Sequence, residues 1–259
     1  FQLVSNEKVT ASVKGDSEVP TKGGIGLLPD QIEESLTRDD LVVTGFEGTG
    51  YSLAPSTALN GVADNQAIAQ IVSAGDPEFQ AGSDLDHHLM DVGRQYLDAQ
   101  VAHEQSPDHK FQYFTVDGKG TQETDFTESI FEAVGPDKIA VQEAVTDPEH
   151  GQDFVSDVLT HNWSDDGKAA STLFQFGDQD ASVQDPNDAS DVATATRTGS
   201  IMSAVAESMS TDDAWKLMSG VPETDGQSIG QLNPELLQSV AHSMSPYAAD
   251  LGGADQPDK

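Results

Sequence analysis

Ser83-Asp84-Leu85-Asp86-His87-His88-Leu89-Met90-Asp91-Val92-Gly93-Arg94-Gln95-Tyr96 is the stretch whose reading decides the fold class. Leu85, Leu89, Val92 and Tyr96 recur at i, i+4, i+7 and i+11, which places them on one face of a 3.6-residue helix. Ser83 stands at the N-cap position, and Asp86 three residues on completes the signature of a capping box. The chain on both sides repeats this grammar. It predicts an all-α protein, an irregular multi-helix bundle or helical-repeat-like domain with a poorly regular N-terminal arm.

Working upstream, Ile68, Ile71 and Val72 share a helix face behind a capping Asp64, and Gly75 with Asp76-Pro77 supplies the stop. Downstream, Asp125 and Glu128 repeat the capping signature ahead of Phe126, Ile130 and Val134. Gly135-Pro136 then turns the chain into a helix through Ile139, Val141 and Val145. Phe154, Val155, Val158 and Leu159 form the next helix. Ser164 caps one carrying Ala169, Ala170, Leu173 and Phe174. Val192, Ala195, Gly199, Met202, Ala206 and Met209 recur in steps of three and four, a heptad-like seam of small residues that another helix can approach closely. Asn233-Pro234 opens a last helix with Leu236, Leu237, Val240 and Met244.

The remainder reads as connection. Residues 1–26 hold a β-compatible piece, Lys8 to Lys14, then Pro20, Gly23, Gly24 and Gly26, and are expected to be an arm or linker. Residues 41–51 look extended or looped, interrupted by Gly45, Gly48 and Gly50, and residues 103–122 read as a long loop with a short extended piece near 110–116. The expected organisation is an arm at 1–26, a helical domain at 27–252 and a C-terminal linker at 253–259. With Phe1 in place of an initiator Met and a polar Gly-Gly-Ala-Asp-Gln-Pro-Asp-Lys ending, the chain reads as part of a larger one.

Twelve Lys and Arg stand against 45 Asp and Glu, a formal charge of −33. Such a surface repels phosphate backbones and anionic lipid, so neither nucleic acid nor membrane is an expected partner. Most of this charge reads as a solvated surface; a basic partner, divalent cations or mimicry of a nucleic acid are the readings that would use it. No apolar run is long enough to cross a membrane. The absence of Cys removes disulfides and thiolate metal sites but leaves compartment open.

Asp84, His87, His88 and Asp91 fall at i, i+3, i+4 and i+7 on one helix face, away from the apolar stripe. Carboxylate and imidazole in that pattern are the ligands of Zn²⁺ or another divalent ion, and the same pattern describes a solvated first turn that complements the helix dipole. Asp117, Asp125 and Glu128 match some positions of a calcium loop, but Lys119, Thr121 and Gln122 stand where further ligands and a Gly belong. Gly118-Lys119-Gly120-Thr121 lacks the upstream Gly of a phosphate loop. The other histidines, at 103, 109, 150, 161 and 242, lie in separate segments without a nucleophile elbow. Trp163, beside Ser164-Asp165-Asp166-Gly167, reads as an anchor at a helix corner.

Four runs carry a resemblance: Asp76-Pro77; Gly82-Ser83-Asp84-Leu85-Asp86; Leu159-Thr160-His161-Asn162-Trp163-Ser164-Asp165-Asp166-Gly167-Lys168-Ala169-Ala170; and Leu232-Asn233-Pro234-Glu235-Leu236 through Pro246-Tyr247. The chain resembles, over roughly residues 27–252, actinobacterial, mycobacterial-type proteins with a TPR repeat region, several of them associated with type VII secretion. The resemblance implies an all-helical region without a catalytic residue, secreted or associated with the cell envelope. Self-similarity at the tetratricopeptide period is missing, so an irregular bundle is expected rather than a regular array.

The functional expectation is a non-catalytic helical scaffold or protein-interaction region of a larger secretion-associated actinobacterial protein. It has a protein partner, basic if charge selects it, and no cofactor. The alternative is a divalent-metal-binding module or metal-dependent enzyme built on the Asp84, His87, His88 and Asp91 face. Oligomeric state is left open.

Overall fold

The computed structural model describes residues 5–6, 8–13, 17–49, 52–76, 80–107, 109–120, 126–221, 224 and 226–248. It divides the chain into two compact units, Phe1–Ala144 and Val145–Lys259.

Strand β1 (Lys8–Val13) runs antiparallel to β2 (Ser17–Lys22), with Lys8 opposite Lys22 and Val13 opposite Ser17. A 3₁₀ turn, Ile25–Leu27, leads into α1 (Asp30–Thr37). Two strands follow, β3 (Val42–Thr49) and β4 (Ser52–Leu59), then α2 (Val62–Ser73) and the long α3 (Asp84–Glu104). Strands β5 (Tyr113–Val116) and β6 (Lys119–Gly120) precede α4 (Glu128–Val134) and α5 (Lys138–Val145).

The all-α expectation is therefore overturned, and so is the poorly regular arm. A two-stranded sheet forms within residues 8–22, and a four-stranded mixed sheet has the order β3-β4-β5-β6. β3 and β4 pair antiparallel from Val42↔Leu59 to Thr49↔Ser52, whereas β4 and β5 pair parallel from Ser56↔Tyr113 to Leu59↔Val116. The reason lies in β4, Ser-Leu-Ala-Pro-Ser-Thr-Ala-Leu, which carries little strand propensity and holds a proline. Pro55 is tolerated because β5 pairs only from Ser56 onward, so β4 has a strand on one side alone at that position.

The helical face read from the sequence is the core of the first unit: Leu85, Leu89, Val92 and Tyr96 are all fully buried. Each such side chain contributes about 1.5–3 kcal/mol relative to exposure. Gly93 on the same helix lets α4 come close, since a Cβ there would lie 2.9 Å from Ile130 Cγ2. Tyr96 packs edge-on against Phe126, and its hydroxyl donates to the Asn60 carbonyl at 2.6 Å while accepting from Asn65 Nδ2 at 3.0 Å. Asn65 also donates to Ser35 O at 3.2 Å, which ties α1, α2 and α3 together. Asp64 does not cap α2. The N-cap is Gly61, in the left-handed region at φ 74, and the cap comes from the Asp117 side chain. Asp125 lies outside the described residues.

In the second unit, α6 (Gly151–Thr160), α7 (Lys168–Ser171), α8 (Ala189–Met209), α9 (Asp212–Ser219), α10 (Ile229–Leu232) and α11 (Pro234–Met244) surround a core of Phe154, Leu173, Phe174, Ile201 and Val205. Asp165, not Ser164, caps α7, accepting from the amides of Gly167, Lys168 and Ala169 at 3.0, 3.0 and 2.7 Å. Of the predicted α8 seam Met202 is buried, but Thr198, Ile201, Val205 and Ser208, each one residue before a predicted position, are buried with it, and Val192 is exposed. Trp163 is buried, its indole donating to Val158 O at 2.9 Å.

Candidate functional site

The Asp84, His87, His88 and Asp91 face is split among separate partners. Asp84 Oδ2 accepts the Ile25 amide at 2.7 Å and pins the turn before α1 to the start of α3, while its Oδ1 is 3.7 Å from His88 Nε2. His87 Nδ1 lies 3.1 Å from Glu143 Oε2 on α5. Asp91 accepts from Arg94 Nη2 at 2.6 Å and from Gln95 Nε2 at 2.8 Å. Helical spacing puts the four residues on one face but spreads their side chains over nearly two turns, where closer donors claim each carboxylate. Among the described residues, no group of three His, Asp or Glu side chains is placed to hold a metal ion. Three of the other histidines have separate contacts: His103 stacks on Phe114 at 4.6 Å, His161 meets Trp163 edge-on, and His242 Nε2 is 3.1 Å from Asp178.

A second acidic feature is buried. Asp86 is fully enclosed at the first turn of α3, and neither carboxylate oxygen has a hydrogen-bond partner. Only half of the expected capping box forms, because Ser83 Oγ accepts from the Asp86 amide at 3.0 Å but the Asp86 side chain does not return the bond. Loss of solvation, with the nearby Asp137 charge, pushes the Asp86 carboxyl up to about 8. Asp137 is buried as well, and burial raises its carboxyl although it accepts from the amides of Gly82 (2.8 Å) and Ile139 (3.0 Å).

A groove of about 1020 Å³ lies between α1 and α2 in the first unit. Ile32, Ile68 and Ile71 supply its apolar lining, and Glu34, Asp39, Asp40 and Asp64 its acids. Ile71, read from spacing as a core residue, is 47% exposed here. Arg38 is the cation of the groove, and it is engaged in a fork to Asp40, with Nε–Oδ1 at 2.6 Å and Nη2–Oδ2 at 3.1 Å. That pairing holds the Asp40 carboxyl below the usual range. Among the described residues, Glu34, Asp39 and Asp64 have no cation at ion-pair distance. The groove thus joins an apolar floor to an acidic rim that cations among the described residues do not balance. No motif announces the groove, because it arises from the apposition of two helices; the one local trace is Ile71, set off from Ile68 and Val72 by its exposure.

No curated protein and no solved structure matches the chain. A family model described as TPR repeat domain matches residues 1–176, which takes in the first unit, with the groove and the sheet, and the start of the second. The helices within the match are unequal in length and are interrupted by strands, a departure from stacked helix pairs. The chain belongs to the TPR repeat domain family.

Proposed function

We propose that this chain is a non-catalytic protein-interaction scaffold, part of a secretion-associated actinobacterial protein at or beyond the cell envelope, and that the α1–α2 groove seats a basic amphipathic segment of its partner. Family membership supports the scaffold, and the resemblance of the Leu159–Ala170 and Leu232–Tyr247 runs supports the secretion setting. One observation carries the docking reading: Ile32, Ile68 and Ile71 line a groove that also holds Glu34, Asp39 and Asp64 without compensating cations among the described residues. Burial of apolar side chains supplies the affinity, and the carboxylates supply orientation and a salt-dependent approach.

The test is fluorescence anisotropy with a labelled helical peptide bearing Leu on one face and Lys on the other, beside an equally charged peptide without the apolar face. The Leu/Lys peptide binds more tightly, its affinity falls as salt is raised toward physiological strength, and Ile71→Glu weakens it about ten-fold. Asp39→Asn with Asp64→Asn flattens the salt dependence. Equal binding of both peptides, indifferent to these changes, would overturn the reading. Among the described residues no helix is long and apolar enough to cross a membrane.

A further inference from the structure

Strand β3 is an edge. The sheet order β3-β4-β5-β6 leaves its outer side without a neighbouring strand among the described residues, along eight residues, Val-Val-Thr-Gly-Phe-Glu-Gly-Thr. Exposed edges are ordinarily blunted by lysine, proline, a bulge or shortness. β3 has neither lysine nor proline, pairs in unbroken register with β4 over its whole length, and carries one charge, Glu47. Residues 43–48 are all exposed, which leaves an open template of backbone donors and acceptors.

The side chains define what such a template takes. Directly opposed residues share a face, so Val42, Thr44, Phe46 and Gly48 lie on the same side of the sheet as Leu59, Thr57, Pro55 and Leu53. Near Leu59 this side is covered: Leu59 is fully buried, and Phe114, opposite Thr57 on β5, stacks under His103 in the last turn of α3. Past that turn the cover ends. Phe46 is 72% and Leu53 63% exposed, an apolar step on the uncovered half of the face. On the other side of β3, Glu47 is the one charged residue beside Val43 and Gly45.

We infer that β3 is a second docking surface, separate from the helical groove, which accepts an extended segment of a basic partner protein as an added strand, with apolar side chains beside Phe46 and Leu53 and Lys or Arg beside Glu47. Backbone pairing supplies affinity, and the alternation of the apolar side at Phe46 with the acidic side at Glu47 supplies the preference. Charge selects against a second copy as the occupant, because each chain carries −33 and pairing β3 with β3 adds Glu47 to an already acidic approach. A basic segment gains from the same field.

The probe is a short synthetic peptide in which Val alternates with Lys, capped at both ends, beside a scrambled peptide of the same composition that cannot alternate. The expected result is slowed amide exchange within 42–49 and binding about ten-fold tighter than the scramble. Phe46→Ser and Glu47→Lys, both at exposed positions, each weaken binding about ten-fold, and Glu47→Lys gains affinity for a Val/Glu peptide. Ile71→Glu in the groove leaves the Val/Lys peptide unaffected, so failure here and failure of the groove reading are distinguishable. Protection appearing in α1 and α2 instead, equal binding of the scramble, or no binding overturns the inference. So does protection of 42–49 that rises with protein concentration alone alongside dimer formation in sedimentation, which assigns the edge to a second copy.

Discussion

Asp117 caps Gly61 from across the fold: its carboxylate, in the turn between β5 and β6, accepts the Gly61 amide at 2.7 Å and those of Val62 at 3.2 Å and Ala63 at 2.9 Å. The turn itself is Asp117-Gly118 with φ 48 and 71, the two-residue hairpin turn that favours these residue types. A single residue thus closes a hairpin and supplies the charge-assisted cap of α2, a favourable place for a carboxylate on the helix dipole. Asp117→Asn keeps a residue that tolerates the left-handed backbone but loses one acceptor oxygen, and is expected to cost about 1 kcal/mol in urea unfolding. Asp117→Ala loses the whole cap and strains the backbone, for about 2 kcal/mol or slightly more.

Asn233 makes a comparable join in the second unit. Fully buried, it donates from Nδ2 to His161 O at 2.6 Å and accepts the Trp163 amide at 3.1 Å through Oδ1. Asn233→Ala leaves a buried carbonyl and a buried amide without that partner, at about 1–3 kcal/mol each where water cannot replace it. Asn233→Asp is expected to be worse, because it sets a carboxylate oxygen against the His161 carbonyl. Tryptophan fluorescence reports the change: Trp163 is buried and Trp215 is 67% exposed, so loosening of the loop removes the blue-shifted component first.

How much of this was readable residue by residue follows from where each interaction has its partner. The α3 core face was legible because Ser83, Leu85, Leu89, Val92 and Tyr96 lie within one helix, where spacing alone determines side. The sheet was not, because β4 is stabilised by pairing with β5, remote in sequence, and its Pro55 and alanines argue against a strand locally. Asp117-Gly118 did carry a hairpin signal, masked by the competing comparison with a calcium loop. The spacing of Asp84, His87, His88 and Asp91 was legible within one helix, whereas the partners of Asp84 and His87, Ile25 and Glu143, come from other elements that no local spacing names. The groove depends on how α1 meets α2, for which no local rule exists.

Two glycines in helices are predicted to respond in opposite directions to the same change. Gly93→Ala gains about 1 kcal/mol of helix propensity, but its Cβ would lie 2.9 Å from Ile130 Cγ2 and 3.1 Å from Phe131 Cε1, in a packed core where overpacking costs about 1–3 kcal/mol. The steric term wins, and the variant is less stable. Gly199→Ala on α8 meets nothing nearer than Tyr247 Oη at 3.9 Å, so the propensity gain survives and the second unit is stabilised by about 0.5–1 kcal/mol. Thermal unfolding of the two variants beside the parent chain decides the comparison.

Buried Asp86 sets a pH dependence of defined sign. Its carboxyl sits at about 8 in the fold, against 3.8 for the unperturbed group, so between those values the native state holds a proton that the unfolded chain has released. Stability contributed by this group is therefore complete at the acid end and declines as pH rises through that window, levelling above about 8. Asp137, raised by burial, acts in the same direction, while His87 and Glu143 are the other titratable groups at this junction of α3 and α5. Asp86→Asn has nearly the same shape and no charge to desolvate. It is expected to match the parent chain near pH 4 and to exceed it progressively toward pH 8, by an amount on the order of 5 kcal/mol. Because the surface charge is otherwise unchanged, the difference between the two urea-unfolding profiles isolates this carboxyl from the general acid titration of so acidic a chain. A constant difference across that range would mean that Asp86 is ionised in the native state and that a donor satisfies its oxygens.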